Sequence, residues 1–351
     1  SVNTFFTKTL RSGFLNQGNF VSLSPRYYWV RGIEARASQG VNLGATHHEI
    51  GIGYRYIDES SHELRYREST ASGLLPTVAS RNDRDTRGKT EAHAVYLDDR
   101  IDWGLWTITP GVRYERIDQQ QINVLTGRPF KGDYSTALPA LNVLYRLDEG
   151  WNLYANTEGS FGSVQYSQMP NRVRQGLVKP EKARTWEFGT RYDQGVLRAE
   201  IGAFLINFNN QYDSSQITDS VIARGKTRHA GIESSFGYRL DELMPALKGT
   251  EVYGNYAYVD ASIREEGPNK GNQVPFSSKH KGLLGISYTQ DAWQAGFEGE
   301  FQSSQYADNA NTVAESADGS TGRIPGYGTW NLRGSYDFGP SLHHLKIGAG
   351  I

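Results

Sequence analysis

The stretch Trp106–Glu115, WTITPGVRYE, decides the fold. Taken at every second residue it separates into two sets. Trp106, Ile108, Pro110, Val112 and Tyr114 are apolar with aromatic ends, whereas Thr107, Thr109, Gly111, Arg113 and Glu115 are small, polar or charged. Successive side chains of a strand point to opposite faces, so the stretch predicts a strand with one greasy side and one wet side. A strand of a soluble sandwich alternates in the same way, and repetition along the chain separates the two cases.

The pattern recurs. Trp293, Ala295, Phe297, Gly299 and Phe301 alternate with Gln294, Gly296, Glu298, Glu300 and Gln302. Trp330, Leu332, Gly334, Tyr336 and Phe338 alternate with Asn331, Arg333, Ser335 and Asp337, and Trp186, Phe188, Thr190 and Tyr192 with Glu187, Gly189 and Arg191. The greasy faces are rich in Trp and Tyr, and the wet faces mix Gly with charge. Such ribbons suit a wall with lipid outside and water inside.

The chain of 351 residues has formal net charge −1, 39 Gly, 21 Tyr, 2 Met and no Cys. No disulfide or thiolate chemistry is available. No run of 18 apolar residues exists, so no transmembrane helix is expected. A barrel strand is half polar and leaves only a weak hydropathy signal. The sequence opens and stops in strand-like stretches, and it reads as a piece of something longer.

About fifteen strands are expected, with soft boundaries, near 2–11, 24–37, 46–58, 90–101, 105–117, 136–147, 151–160, 184–192, 196–209, 227–240, 250–262, 279–288, 293–304, 327–338 and 344–351. Their connections alternate. Long ones are expected near 12–23, 59–89, 118–135, 161–183, 210–226, 263–278 and 305–326, and shorter ones between them. Alternate connections of an antiparallel meander lie at opposite ends, so the long loops share one end and the short turns the other. That is the layout of an all-β, antiparallel, up-and-down transmembrane β-barrel with long external loops. Trp103, Trp106, Trp151 and Trp293 stand beside short turns and predict an inner aromatic girdle.

Several motifs fail. RGKT at 87–90 and 224–227 imitates the tail of a phosphate-binding loop, but Asp83 and Ser220 occupy the place of its first Gly, and neither copy opens a helix. His47-His48-Glu49 lacks the i, i+4 spacing of a helical zinc site. Nothing in the sequence brings Ser, His and Asp together as a nucleophile set. Charge is more informative. Arg81, Arg84, Arg87 and Lys89, then Arg172, Arg174, Lys179, Lys182 and Arg184, then Arg224, Lys226 and Arg228 all fall in long connections or at their margins. Guanidiniums around a mouth would capture an anion, because the planar fork pairs with a carboxylate through two parallel hydrogen bonds. Some of them would instead meet lipopolysaccharide phosphates.

Three words carry a family resemblance. KPEKARTWEFGTRY (179–192), RHAGIES (228–234) and NQVPFSSKHKGLLGISY (272–288) resemble, in order, strand words of TonB-dependent outer-membrane transporters. TLRSGF (9–14), LSPRYYWVRGIEAR (23–36), NLYANTEGSFG (152–162), FLINFNNQYDS (204–214) and SSQYADNANTVAESADGSTGRIPG (303–326) resemble the ferric citrate branch, and the similarity runs along essentially the whole chain. The resemblance implies a barrel of about 22 strands closed around an N-terminal plug. On that basis residues 1–351 form a partial transmembrane barrel, without the plug, its coupling box or the final strand. It implies that Arg11, Arg26, Arg84 and Gln216 contact the ligand. The word around Gln216 departs most from the family pattern.

The expected function is therefore an outer-membrane receptor and transporter of a Gram-negative bacterium for an anionic ferric chelate, ferric citrate in the first place. Iron would arrive already chelated, so no cofactor or protein metal site is expected and the chain is not an enzyme. Implied partners are the chelate, TonB–ExbB–ExbD acting through the plug, and outer-membrane lipid with lipopolysaccharide; no nucleic acid is expected. A transporter for another siderophore, a passive porin and a soluble β-rich binding module are the alternatives.

Overall fold

The computed structural model describes residues 1–16, 19–164, 166, 169, 179–214, 221–317 and 319–351. Gln216, Arg172 and Arg174 lie outside the described residues. Each expected strand is present. They are β1 (Val2–Arg11), β4 (Arg26–Leu43), β5 (Thr46–Ser69), β6 (Arg81–Trp103), β7 (Trp106–Asn123), β8 (Arg128–Asp148), β9 (Trp151–Gly162), β10 (Glu181–Gln194), β11 (Leu197–Ser214), β12 (Val221–Arg239), β13 (Thr250–Ile263), β14 (His280–Gln290), β15 (Trp293–Gln302), β18 (Tyr327–Asp337) and β19 (Lys346–Gly350). Each pairs antiparallel with its neighbour in chain order, β1 pairing with β4. Two short hairpins decorate the long-loop end: β2 (Phe14–Asn16) with β3 (Phe20–Leu23), and β16 (Gln305–Tyr306) with β17 (Arg323–Ile324). β3 continues the ladder on β5 beyond the start of β4, with Leu23 opposite Tyr66.

The short turns are as tight as the sequence suggests. Trp103–Trp106 and Gln194–Leu197 are closed by two residues each, and Gly104 (φ +58°) and Gly195 (φ +61°) supply the left-handed backbone such a turn needs. Three expected long loops are corrected. Most of 59–89, of 118–135 and of 210–226 is strand, so that the connections shrink to 70–80, 124–127 and 215–220. The cause is environmental. These strand ends rise above the apolar band, neither of their faces meets hydrocarbon, and the greasy-wet alternation disappears from the sequence.

Exposure is inside out relative to a globular core. Along the alternating register one face carries Ile33, Ile52, Val95, Leu97, Val112, Phe188, Ile201, Ile232, Phe297 and Trp330, all exposed, Trp330 at 70%. The other face holds most of the buried polar groups, among them Ser61, Glu63, Thr86, Gln119 and Gln121. These are called the outer and inner faces below. A sandwich would have packed the aromatic face against a second sheet; here it is bare. Trp103, Trp106, Trp151 and Trp293 are exposed beside short turns, as a girdle requires. At the other rim, Tyr54 and Tyr56 meet His93, and Tyr256 and Tyr258 meet His280. In both places a Tyr hydroxyl lies 2.7 Å from the His Nδ1, while the second Tyr ring packs 5.0 or 5.2 Å from the imidazole. From His93 to Trp103, at about 3.3 Å per residue and a tilt near 45°, the axial height is roughly 23 Å, close to the ~25 Å apolar band of an outer-membrane barrel.

Candidate functional site

The candidate site is the inner face at the long-loop end. Arg11 closes β1 and Arg26 opens β4, and the antiparallel register sets them directly opposite one another. Arg26 is opposed on its other side by Glu63 of β5, and Glu63 by Thr86 of β6. Two residues further up, Arg65 of β5 faces Arg84 of β6. Direct partners share a face, as do residues two apart on a strand, so Arg11, Arg26, Arg65 and Arg84 all project inward at one rim. Three of the four ligand residues implied by the resemblance are thus brought together. Arg84, expected in a long loop, instead stands within β6.

A β-bulge shapes this cluster. The register slips between Arg65 and Tyr66, which leaves Asp83 as the extra residue of β6. Its carboxylate accepts from Arg65 Nε at 2.8 Å and pairs with Arg67 NH1 at 2.8 Å. Arg67 also lies over the Phe20 ring of the β2–β3 hairpin, 5.6 Å from its centre. Glu63, only 2% exposed, accepts from the Tyr28 hydroxyl at 2.9 Å. Arg65, Arg67 and Glu63 are not singled out in the sequence, and Asp83 is named there only as the residue that breaks a phosphate-loop motif. The alternation Arg65-Tyr66-Arg67 is the signal that could have found them, once 59–69 is read as strand.

The segment after β9 folds back against the inner face. Gln119 donates to the Val164 carbonyl at 2.8 Å and Gln121 to the Tyr166 carbonyl at 3.0 Å. The Tyr166 hydroxyl lies 2.6 Å from Thr90 Oγ1, and Val164, Tyr166 and Met169 are all buried. Burial pushes the Tyr166 hydroxyl above the ordinary phenol range, so it stays neutral. Gly88 makes room, since a Cβ there would overlap the Tyr166 ring.

Lower on the inner wall, a cavity of about 390 Å³ is lined by Glu187, Glu200 and Glu233, with the Tyr154 hydroxyl 3.3 and 3.1 Å from the first two. No basic side chain lines it. An anion fits the arginine rim and not this cavity.

Two other arrangements carry no chemistry. Thr46 Oγ1 lies 2.9 Å from His48 Nε2, and His48 Nδ1 lies 2.7 Å from Asp99 Oδ2. The order resembles a hydroxyl–imidazole–carboxylate relay, which the sequence did not suggest. The Thr46 proton, however, goes to the Leu43 carbonyl at 2.8 Å, so the hydroxyl receives from the ring and is not activated as a nucleophile. Both RGKT words lie within strands, β6 and β12, and open no helix. Among the described residues no group of three or more His, Asp or Glu side chains is placed to hold a metal ion.

Comparison with known proteins places this geometry. The family model described as "TonB dependent receptor-like, beta-barrel" matches residues 2–351. The chain is 22% identical over 258 residues to the ferrioxamine B receptor of Salmonella typhimurium, covering 71% of this chain and 35% of that protein. It is 26% identical over 234 residues to the ferrichrome outer membrane transporter/phage receptor of Escherichia coli, covering 64% and 30%. Among solved structures it is similar to the unliganded ferric citrate transporter FecA, with 59% identity, a TM-score of 0.91, and coverage of 99% of this chain and 53% of that one. The ferric preacinetobactin receptor BauA of Acinetobacter baumannii shares the fold, with a TM-score of 0.70 at 17% identity, covering all of this chain and 54% of that one. The chain therefore spans about half, or less, of the length of these relatives. With an apolar outer belt, two aromatic rims and a family model matched along its length, the chain belongs to the TonB-dependent receptors of the Gram-negative outer membrane, as part of their β-barrel.

Proposed function

We propose that the protein containing this chain is a receptor and transporter for an anionic ferric chelate, with ferric citrate as the cargo. The observation that carries the proposal is the set of inward guanidiniums at one rim, Arg11 opposite Arg26 and Arg65 opposite Arg84. The 59% identity to a ferric citrate transporter supports the same cargo. Arg11, Arg26 and Arg84 would hold citrate carboxylates, and Gln216 joins them by resemblance alone. Each charge-assisted hydrogen bond is worth about 1.5–3 kcal/mol. Three arginines supply roughly 4.5–9 kcal/mol at one such bond each, from which binding costs of several kcal/mol are subtracted. Carboxylates already saturate the iron, so the chain need supply no ligand to it. Release across the membrane would draw on TonB–ExbB–ExbD through a plug in the barrel. No bond of the cargo is made or broken.

The test is calorimetric titration of the full-length protein with ferric citrate and, separately, with ferrioxamine B, the ligand named for one of its relatives. Ferric citrate binding that weakens in Arg26→Gln and in Arg84→Gln is expected. Ferrioxamine B binding in the absence of ferric citrate binding would overturn the cargo. Undiminished ferric citrate affinity in Arg84→Gln would remove that residue from the site.

A further inference from the structure

Five guanidiniums crowd the inner face at the long-loop end. Arg67 follows Arg65 by two residues on β5 and shares its face, so it joins Arg11, Arg26, Arg65 and Arg84. Like charges this close repel, and the wall sets carboxylates against them. Glu63 is shut behind the Tyr28 hydroxyl. Asp83, the extra residue of the bulge, stands among the cations themselves. We propose that Asp83 is a resident counter-ion that sets how much negative charge the rim selects in its ligand, and so a specificity-determining residue of that site. The inference rests on the reading of the rim as an anion site.

Asp83 owes its place to the bulge. Asp83 and Asp85 flank Arg84 in the sequence. In an unbroken ladder both would point away from the face that Arg84 takes. Asp85 does so, and meets His62 at 3.0 Å on the outer side. Asp83 does not. The ladder is interrupted there, and the interruption turns one carboxylate to the wet face beside Arg65. A regular β6 would leave this rim without it.

Both oxygens of that carboxylate are engaged. Oδ1 accepts from Arg65 Nε at 2.8 Å, and Oδ2 accepts from Arg65 NH2 at 3.3 Å and pairs with Arg67 NH1 at 2.8 Å. The side chains of Asp83, Arg65 and Arg67 are only 13, 16 and 25% exposed, and Arg67 is held from the other side by the Phe20 ring. Arg11, by contrast, is exposed. Two cations and one carboxylate therefore present a single net positive charge, tied to the wall behind the arginines that would receive the cargo.

This group acts on a ligand through space. Arg65 opposes Arg84 with Cβ atoms about 5 Å apart, which sets the Asp83 carboxylate roughly 8 Å from an anion held by Arg84. Partly screened at that range, one protein charge changes affinity about twofold for every charge the ligand carries.

The test is calorimetric titration of the full-length protein in detergent micelles with sulfate, iron-free citrate and ferric citrate. In Asp83→Asn, doubly charged sulfate should bind about fourfold tighter and triply charged citrate about eightfold tighter, and both gains should shrink at high salt. Arg67→Gln, which leaves Arg65 and Asp83 paired, should weaken both by the same charge-scaled factors. A purely structural role of Asp83 gives a different result: losing the bulge weakens every anion alike. Equal changes for sulfate and citrate, weaker binding of both in Asp83→Asn, or binding of neither by native protein and variant would overturn the proposal. If Asp83→Asn does not fold, Arg67→Gln decides alone, and losses that ignore ligand charge overturn it. The two iron-free anions separate this inference from the cargo. Native protein that ignores ferric citrate refutes the cargo while the charge scaling is still read; native protein that binds ferric citrate without charge scaling in the variants refutes only the role of Asp83.

Discussion

Replacing Arg11 by Gln should move stability and ligand affinity in different ways. Arg11 and Arg26 are direct partners across an antiparallel ladder, so their Cβ atoms are about 5 Å apart, and splayed guanidiniums stand roughly 7 Å apart. Two like charges at that distance repel by about 0.6 kcal/mol in water, and screening at physiological ionic strength reduces this to about 0.25 kcal/mol. Arg11 is exposed at the end of β1, so little packing is lost with its head group. The empty protein should lose no stability and could gain about 0.3 kcal/mol. Ferric citrate binding should lose one charge-assisted contact, about 1.5–3 kcal/mol, which is roughly a ten- to 150-fold weaker dissociation constant. The paired assays are urea unfolding in detergent micelles and calorimetric titration, both at 0.02 and 0.3 M salt. The affinity difference between native protein and variant should narrow at high salt. If stability falls in step with affinity, Arg11 holds the rim together and does not hold the ligand, and the electrostatic account of the site fails.

Three other changes probe separate parts of the structure. Phe188→Arg places a charge on the outer face at a residue 61% exposed to the membrane side; it should cost about 2–4 kcal/mol and lower the folded fraction in vesicles, read by heat-dependent gel mobility. Gly88→Val should drive Tyr166 from its seat and turn the Ser61 hydroxyl of β5 aside, so amide exchange should rise at Val164 and Tyr166 and not along β6 or β7. Gln121→Leu removes the donor to the Tyr166 carbonyl; a buried carbonyl left unpaired costs about 1–3 kcal/mol, and protease should cut after β9 sooner than in the native protein.

Much of this protein is legible without coordinates. The two-residue alternation around Trp106, Trp186, Trp293 and Trp330 names the lipid-facing residues, because a strand sorts its side chains locally. The alternation of short and long connections gives the meander and its polarity. The signal fails at 59–69, 81–89 and 118–123, where neither face of the strand meets hydrocarbon and polarity no longer reports direction. Arg65 and Arg67 carry no signal for that reason, and Arg84 reads as a loop residue.

Sequence alone determined that the chain is a membrane-facing β-wall, which side is wet, and which rim carries the arginines, since each of these depends on neighbours along the chain. Only the tertiary structure decided which side chains meet. The opposition of Arg11 to Arg26, the bulge at Asp83 under Arg65 and Arg67 and the seating of Tyr166 on β5–β7 all depend on pairing register between distant strands. A slip of one residue would send every one of those side chains to the other face.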